Sequence, residues 1–195
     1  MKPIQIAITP AVARPDEAQR ITTILNAGWD AVNIRLPGAC LKDVKNLIEA
    51  VPQKFHGRLW LHGHFELVNE FNLGGLQLNS RCPIPPRNYS GPIGRSCHTV
   101  EEVLDYGQDS RFSRLTLSPI FDSVSKEGYK GKFSDYELLE IADLLVPVIA
   151  LGGVTPSRLE LLNKYPFSGY AVLGYLQKAE NLDDLKKKLS EFENN

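Results

Sequence analysis

Short apolar runs alternate with longer helix-patterned segments along the whole chain, and no other feature constrains the fold as strongly. The strand-like runs fall at residues 4–8, 31–35, 59–61, 75–78, 93–96, 114–118, 146–151 and 169–173. They favour Val, Ile and Leu, as strands covered on both faces do. Helical periodicity fills most of the gaps, at residues 16–26, 41–50, 66–71, 100–106, 135–143 and 156–164, with a last helix at 181–193. Local punctuation fits these positions. Thr99 followed by Glu102 has the pattern of a capping box, and Thr155-Pro156 supplies an N-cap and a proline in the first helical position. Gly28 is placed to end a helix in the left-handed region. Residues 79–91 contain Pro83, Pro85 and Pro86, so a proline-rich loop replaces the helix between the fourth and fifth strands.

Eight strands in strict β/α alternation leave an open doubly wound sheet or a closed barrel. No Gly-x-Gly-x-x-Gly follows the first strand, where a dinucleotide-binding sheet would carry it. The reading is an α/β chain forming a (β/α)8 TIM barrel. A length of 195 residues is short for that fold, and the missing helix and tight loops make up the difference. No linker or compositional shift divides the chain, so residues 1–195 are expected to form a single domain.

Composition excludes more than it selects. The net charge is -1, with Lys+Arg 22 against Asp+Glu 23, so no broad field points to nucleic acid or an anionic membrane as partner. No apolar stretch approaches the roughly 20 residues of a membrane span, and the opening residues lack the pattern of a secretion signal. Cys40, Cys82 and Cys97 are scattered without metal-ligand spacing and read as reduced thiols of a cytoplasmic protein. Exposed barrel helices can pair, which leaves a homodimer open.

In a barrel, chemistry gathers where strands end and the following loops begin. Those positions here are Thr9, Arg35, His62, Gln77, 96–98, 118–126, Gly152-Gly153 and Gly174, a polar set short of carboxylates. Gly152-Gly153 follows the seventh strand and precedes a helix at once, and Leu173-Gly174 ends the eighth. Loops after these two strands are the common phosphate site of the fold, although a double glycine also serves a plain tight turn. The loop after the sixth strand carries Ser123, Ser125 and Lys126, which suit a phosphorylated ligand as well as a solvated loop. His56 is expected on the far side. His62, His64 and His98 fall near strand ends, where either packing or proton transfer is open to them.

Four segments then occur together in a recognisable order. They are Val32-Asn33-Ile34-Arg35, Ile93-Gly94-Arg95-Ser96-Cys97-His98, Leu117-Ser118-Pro119-Ile120-Phe121-Asp122-Ser123-Val124-Ser125-Lys126 and Ile149-Ala150-Leu151-Gly152-Gly153-Val154. The chain resembles the thiamine phosphate synthase family and its thiazole tautomerase relatives over essentially its full length. The resemblance implies a transferase of thiamine biosynthesis that joins hydroxymethylpyrimidine diphosphate to thiazole phosphate and releases pyrophosphate. In that reaction the thiazole nitrogen captures a carbocation-like pyrimidine, with magnesium and basic side chains on the departing diphosphate. Carried over by position, Arg35, Ser96 and Lys126 would be catalytic groups at the diphosphate, with Ser123 and Ser125 binding it. Gly152, Gly153, Leu173 and Gly174 would hold the thiazole phosphate, and Asn33, His62 and Gln77 complete the substrate-binding set.

The departures from the family pattern are local. Pro37 stands in place of a lysine. His62-Gly63 replaces Asn-Asp after the third strand, and residues 77–82 end in Cys82 where a second aspartate is expected. The magnesium that the resemblance implies therefore lacks both usual aspartates, and no metal ligand is assigned. A diverged tautomerase-like enzyme, with Pro119 where that relative has a histidine, and a non-catalytic binder of phosphorylated ligands stay open beside the synthase.

Overall fold

The computed structural model describes residues 2–121 and 132–193. Eight parallel strands, β1 (Ile4–Ile8), β2 (Ala31–Ile34), β3 (Leu59–Leu61), β4 (Gly75–Leu78), β5 (Ile93–Cys97), β6 (Arg114–Leu117), β7 (Val148–Leu151) and β8 (Gly169–Val172), close into a barrel in sequence order. β1 pairs with β8 through Ile4 opposite Gly169 and Ala7 opposite Val172. Gly169 is needed at that seam, because a Cβ there would stand 2.2 Å from the Ile4 carbonyl oxygen. The helices are α1 (Glu17–Asn26), α2 (Leu41–Ala50), α3 (Leu67–Glu70), α4 (Val100–Gly107), α5 (Asp135–Leu139), α6 (Leu159–Leu162), α7 (Gly174–Gln177) and α8 (Leu182–Ser190). No helix lies between Leu78 and Ile93, as the prolines predict.

Alternation along the strands divides the core into two shells. Ala7, Val32, Ile34, Leu59, Leu61, Leu76, Leu115, Leu117 and Val172 face outward to the helices. Ile6, Ile8, Ala31, Ile149 and Ala171 form a separate cluster with Ile4, Trp60, Leu151 and Leu173 inside the barrel. In the outer shell, Trp29, Tyr170 and Phe192 pack edge-to-face and stacked, with Gln5 Nε2 donating to the Tyr170 hydroxyl at 2.7 Å. This aromatic group ties α8 to the β1/β8 seam. Among the described residues, no helix is long and apolar enough to cross a membrane.

Several boundaries differ from the sequence expectation for identifiable reasons. β7 begins at Val148 rather than residue 146, because Pro147 has no N–H for the ladder. α5 stops at Leu139 and the chain runs on to 143 in turns. A 3-10 turn at Pro156–Arg158 precedes α6. α7 was not expected; Arg14 donates to the carbonyl of its last residue, Gln177, and Arg14 and Arg20 donate to the Ala179 carbonyl just beyond it at 2.9 and 3.1 Å. Thr99 caps α4 by accepting from Glu102 N–H at 3.2 Å, whereas Glu102 bonds the His98 N–H at 2.6 Å, so the box is displaced by one residue. Gly28 has φ +87°, as a left-handed helix terminator requires.

Candidate active site

The polar residues predicted at strand ends do not spread evenly around the mouth. β7, β8 and β1 contribute apolar side chains to the interior, whereas β2 and β4 to β6 contribute Asn33, Gln77, Ser96, Arg114 and Thr116. Two hydrogen-bonded groups organise that polar half. In the first, Arg114 reaches from β6 across the interior to β2 and donates to Asn33 Oδ1 at 2.7 Å. A guanidinium only donates, so this bond fixes the amide, and Nδ2 faces His62 Nε2 at 3.1 Å. An amide N–H needs an acceptor, which leaves the His62 proton on Nδ1.

Burial and charge together set the state of this relay. Burial first, and then the positive charges of Arg114, Arg35 and Arg81, push the His62 imidazole down to about 3, so it is neutral at physiological pH. Arg114 is 5% exposed and lies over the Trp60 ring at 3.5 Å, and burial pushes its guanidinium down to about 9. Its Nε is buried without a partner.

In the second group, Gln77 Nε2 donates to Ser96 Oγ at 3.3 Å and Thr116 Oγ1 at 3.4 Å. Gln77 Oε1 is buried without a partner, and a Cβ on Gly94 would collide with it at 2.3 Å. Gln77 therefore sits below the mouth, supporting Ser96, rather than at the entrance where strand-end reasoning puts it.

Above the relay opens a cavity of about 210 Å³ lined by Arg35, His62, Gly63, His64, Arg81 and Cys82, with Ile34, Leu36, Pro37 and Val44 as its apolar floor. The Arg35 N–H is held by Thr9 Oγ1 at 2.8 Å, which fixes the end of β2. His64 adopts φ +51°, an uncommon conformation for a residue with a Cβ, and its Nε2 donates to the Ala39 carbonyl at 2.9 Å. His62 and His64 thus converge on one cavity, whereas His98 stands apart, its Nδ1 3.2 Å from the Ser118 carbonyl oxygen. His56 lies on the far side as expected, its Nε2 3.0 Å from the Val51 carbonyl oxygen at the end of α2. A larger depression of about 430 Å³ lies on that side and holds none of the predicted site residues.

The double-glycine turn is a conformational requirement. Gly152 and Gly153 have φ +100° and +63°, and a Cβ on Gly152 would lie 2.8 Å from Pro119 Cα. Arg158 Nη1 donates to the Gly153 carbonyl at 2.8 Å and braces the turn from below. Beside it, Leu173 leads directly into α7, and a Cβ on Gly174 would meet nothing within 4 Å. Ser123, Ser125 and Lys126 lie outside the described residues.

Sequence reasoning missed Arg114 and Thr116. They alternate with Leu115 and Leu117, a period-two pattern that puts a cation and a hydroxyl on the interior face. Cys40, Cys82 and Cys97 are free, and burial pushes the Cys97 thiol up to about 12, which leaves it an inert core group. Among the described residues, no group of three or more His, Cys, Asp or Glu is placed to hold a metal ion.

A closed barrel of eight parallel strands, with Arg35, Arg81, His62 and His64 around one cavity and a double-glycine turn after β7, places the chain among (β/α)8 barrel proteins. Within that class the chain belongs to the thiamine monophosphate synthase family, whose model matches residues 6–176. It is 25% identical over 150 residues to a thiamine-phosphate synthase of Latilactobacillus sakei, covering 74% of this chain and 67% of the relative. To the thiamine-phosphate synthase of Lactococcus lactis subsp. lactis it is 23% identical over 194 residues, covering 93% and 90%. The structure of a thiamine phosphate pyrophosphorylase from Bacteroides thetaiotaomicron is 29% identical and superposes with a TM-score of 0.85 over 97% of this chain and 95% of that one. These relatives are synthases and pyrophosphorylases, so the tautomerase and non-catalytic alternatives gain no support from them.

Proposed function

We propose that this protein is a transferase of thiamine phosphate synthase type, joining a hydroxymethylpyrimidine diphosphate to a thiazole phosphate. The observation that carries the reading is the match of residues 6–176, nearly the whole barrel, to that family. The C–O bond to the diphosphate breaks with its electrons leaving on pyrophosphate, and the thiazole nitrogen lone pair forms the new C–N bond. Charge develops on the leaving group, so the protein's contribution is electrostatic and positional.

In this assignment Arg35 and Ser96 act on the diphosphate, together with Ser123, Ser125 and Lys126. The backbone of the Gly152-Gly153 turn and of Leu173-Gly174 holds the thiazole phosphate. Arg114 orients the Asn33 amide, which in turn keeps the proton of the neutral His62 on Nδ1, a fixed donor toward substrate. Gln77 positions the Ser96 hydroxyl.

The magnesium of the family does not fit the residues present. Gly63 and Cys82 occupy its expected aspartate positions, and neither supplies a hard anionic oxygen. The Asn79 amide at the end of β4 is consumed in its own turn, donating to the His62 and Gln77 carbonyls and accepting from the Arg81 and Cys82 N–H groups.

The test is to supply both substrates and detect the coupled product by mass together with released pyrophosphate. Both products in equal amounts are expected. Exchange of a thiazole proton without coupling would replace the synthase reading with the tautomerase one.

A further inference from the structure

The cavity above β2 and β3 has the wrong charge for a divalent cation and the right charge for its counterion. Its wall carries the guanidinium groups of Arg35 and Arg81 and the imidazoles of His62 and His64, with no carboxylate. The Glu66 carboxylate lies 3.8 Å from His64 Nδ1 and is 60% exposed. Arg35, Arg81 and the buried Arg114 all act on His62, so their positive fields overlap at the cavity. Gly63 and Cys82 meet there, since a Cβ on Gly63 would stand 3.9 Å from Cys82 Sγ and touch nothing nearer. A thiol and an imidazole beside two guanidinium groups are a poor donor set for magnesium. A diphosphate, with several anionic oxygens, matches planar guanidinium donors well.

The turn that presents Arg81 is firmly built. Asn79 Oδ1 accepts from the Arg81 N–H at 3.1 Å and the Cys82 N–H at 3.3 Å. Its Nδ2 donates to the carbonyls of His62 at 2.9 Å and Gln77 at 3.0 Å, which clamps the turn to the ends of β3 and β4. A reciprocal backbone bridge between Asn79 and Cys82 closes it. The Arg81 side chain projects from this clamp, exposed to an incoming ligand.

We propose that Arg81, acting with Arg35, neutralises a diphosphate in this cavity in place of magnesium, so that the site binds diphosphate without a divalent cation. The identity of the anion rests on the coupling reaction proposed above, while the test of the site itself needs no turnover.

The full chain is titrated calorimetrically with inorganic pyrophosphate, first in EDTA and then in excess magnesium. Binding in EDTA is expected, with magnesium leaving the affinity equal or weaker because it competes for the ligand. Arg81→Gln lowers the affinity by about 10-fold or more, and Arg81→Lys restores part of the loss. Gly63→Asp places a carboxylate in open space beside Cys82 and weakens binding in EDTA, with magnesium now restoring it. Pyrophosphate binding that requires magnesium in the wild type overturns the proposal, as does an Arg81→Gln variant that binds like wild type or a Gly63→Asp variant indifferent to the metal. Metal-free pyrophosphate binding without any coupled product would leave this inference standing and remove the synthase reading. Coupling that occurs only with magnesium would do the reverse.

Discussion

Replacing Arg114 by methionine separates the stability of the barrel interior from the order of the site. The guanidinium is 5% exposed, donates to Asn33 Oδ1 at 2.7 Å, lies 3.5 Å above the Trp60 ring and leaves Nε without a partner. Burial pushes it down to about 9. At about 1.36 kcal/mol per pKa unit, against an ordinary guanidinium near 12.5, keeping the charge at neutral pH costs on the order of 4 to 5 kcal/mol. Opposing this are the charge-assisted bond to Asn33, about 1.5–3 kcal/mol, and the desolvated stack on Trp60, about 2 kcal/mol. The terms nearly cancel. Methionine fills most of the volume and keeps a sulfur–aromatic contact, so urea unfolding is expected to place Arg114→Met within about 1 kcal/mol of wild type. Arg114→Ala, which adds a cavity, loses about 2–4 kcal/mol more. Activity behaves differently, because the freed Asn33 amide no longer fixes the His62 tautomer. A drop in kcat of about 10-fold is expected for Arg114→Met, with nitrogen NMR showing mixed His62 tautomers. A methionine variant that loses more than about 3 kcal/mol, or that keeps full activity and a single tautomer, refutes this account of Arg114.

His62, held near 3 in the fold against about 6.5 unfolded, binds a proton in the unfolded state first, so its contribution to stability rises with pH between those values and is lost as pH falls. Its ring resonances should stay constant from about pH 8 to about pH 5, and a midpoint near 6.5 would contradict the cationic field at the cavity. Gly152→Ala combines φ +100° with a 2.8 Å contact to Pro119 and should cost more than about 2 kcal/mol in denaturant unfolding while weakening thiazole phosphate binding. Gly169→Ala meets the Ile4 backbone at 2.2 Å and should cost more than about 3 kcal/mol, whereas Gly174→Ala, with nothing within 4 Å, should be nearly neutral. Equal stabilities for those two variants would count against the β1/β8 closure.

Much of this was legible in the sequence, for physical reasons that differ by element. The strands could be read because each is an apolar run bounded by turn residues, and the closed order β1 to β8 follows from strict alternation. The prolines of residues 83–86 spoke directly against a helix. α7 escaped because four residues carry too little periodicity to register. α5 was overdrawn because the apolar pattern of residues 135–143 survives where the chain turns. At the site, the glycine turn and Arg35 were found because each sits at a strand end. The relay was not, since Asn33 and Arg114 are separated by 81 residues and come together only when the barrel closes. Arg81 and His62 approach one another only through the fold of the Asn79–Cys82 turn.

The central claim is that C–N coupling occurs at the polar half of the barrel mouth. The most direct test supplies pyrimidine diphosphate and thiazole phosphate to wild type, Arg35→Ala and Ser96→Ala and follows thiamine phosphate and pyrophosphate together. Stoichiometric release of both is expected from the wild type, with a loss of about 10²-fold or more in the variants, which remain folded by circular dichroism. Coupling that survives in both variants, or a wild type that binds thiazole phosphate but never forms the bond, would contradict the claim.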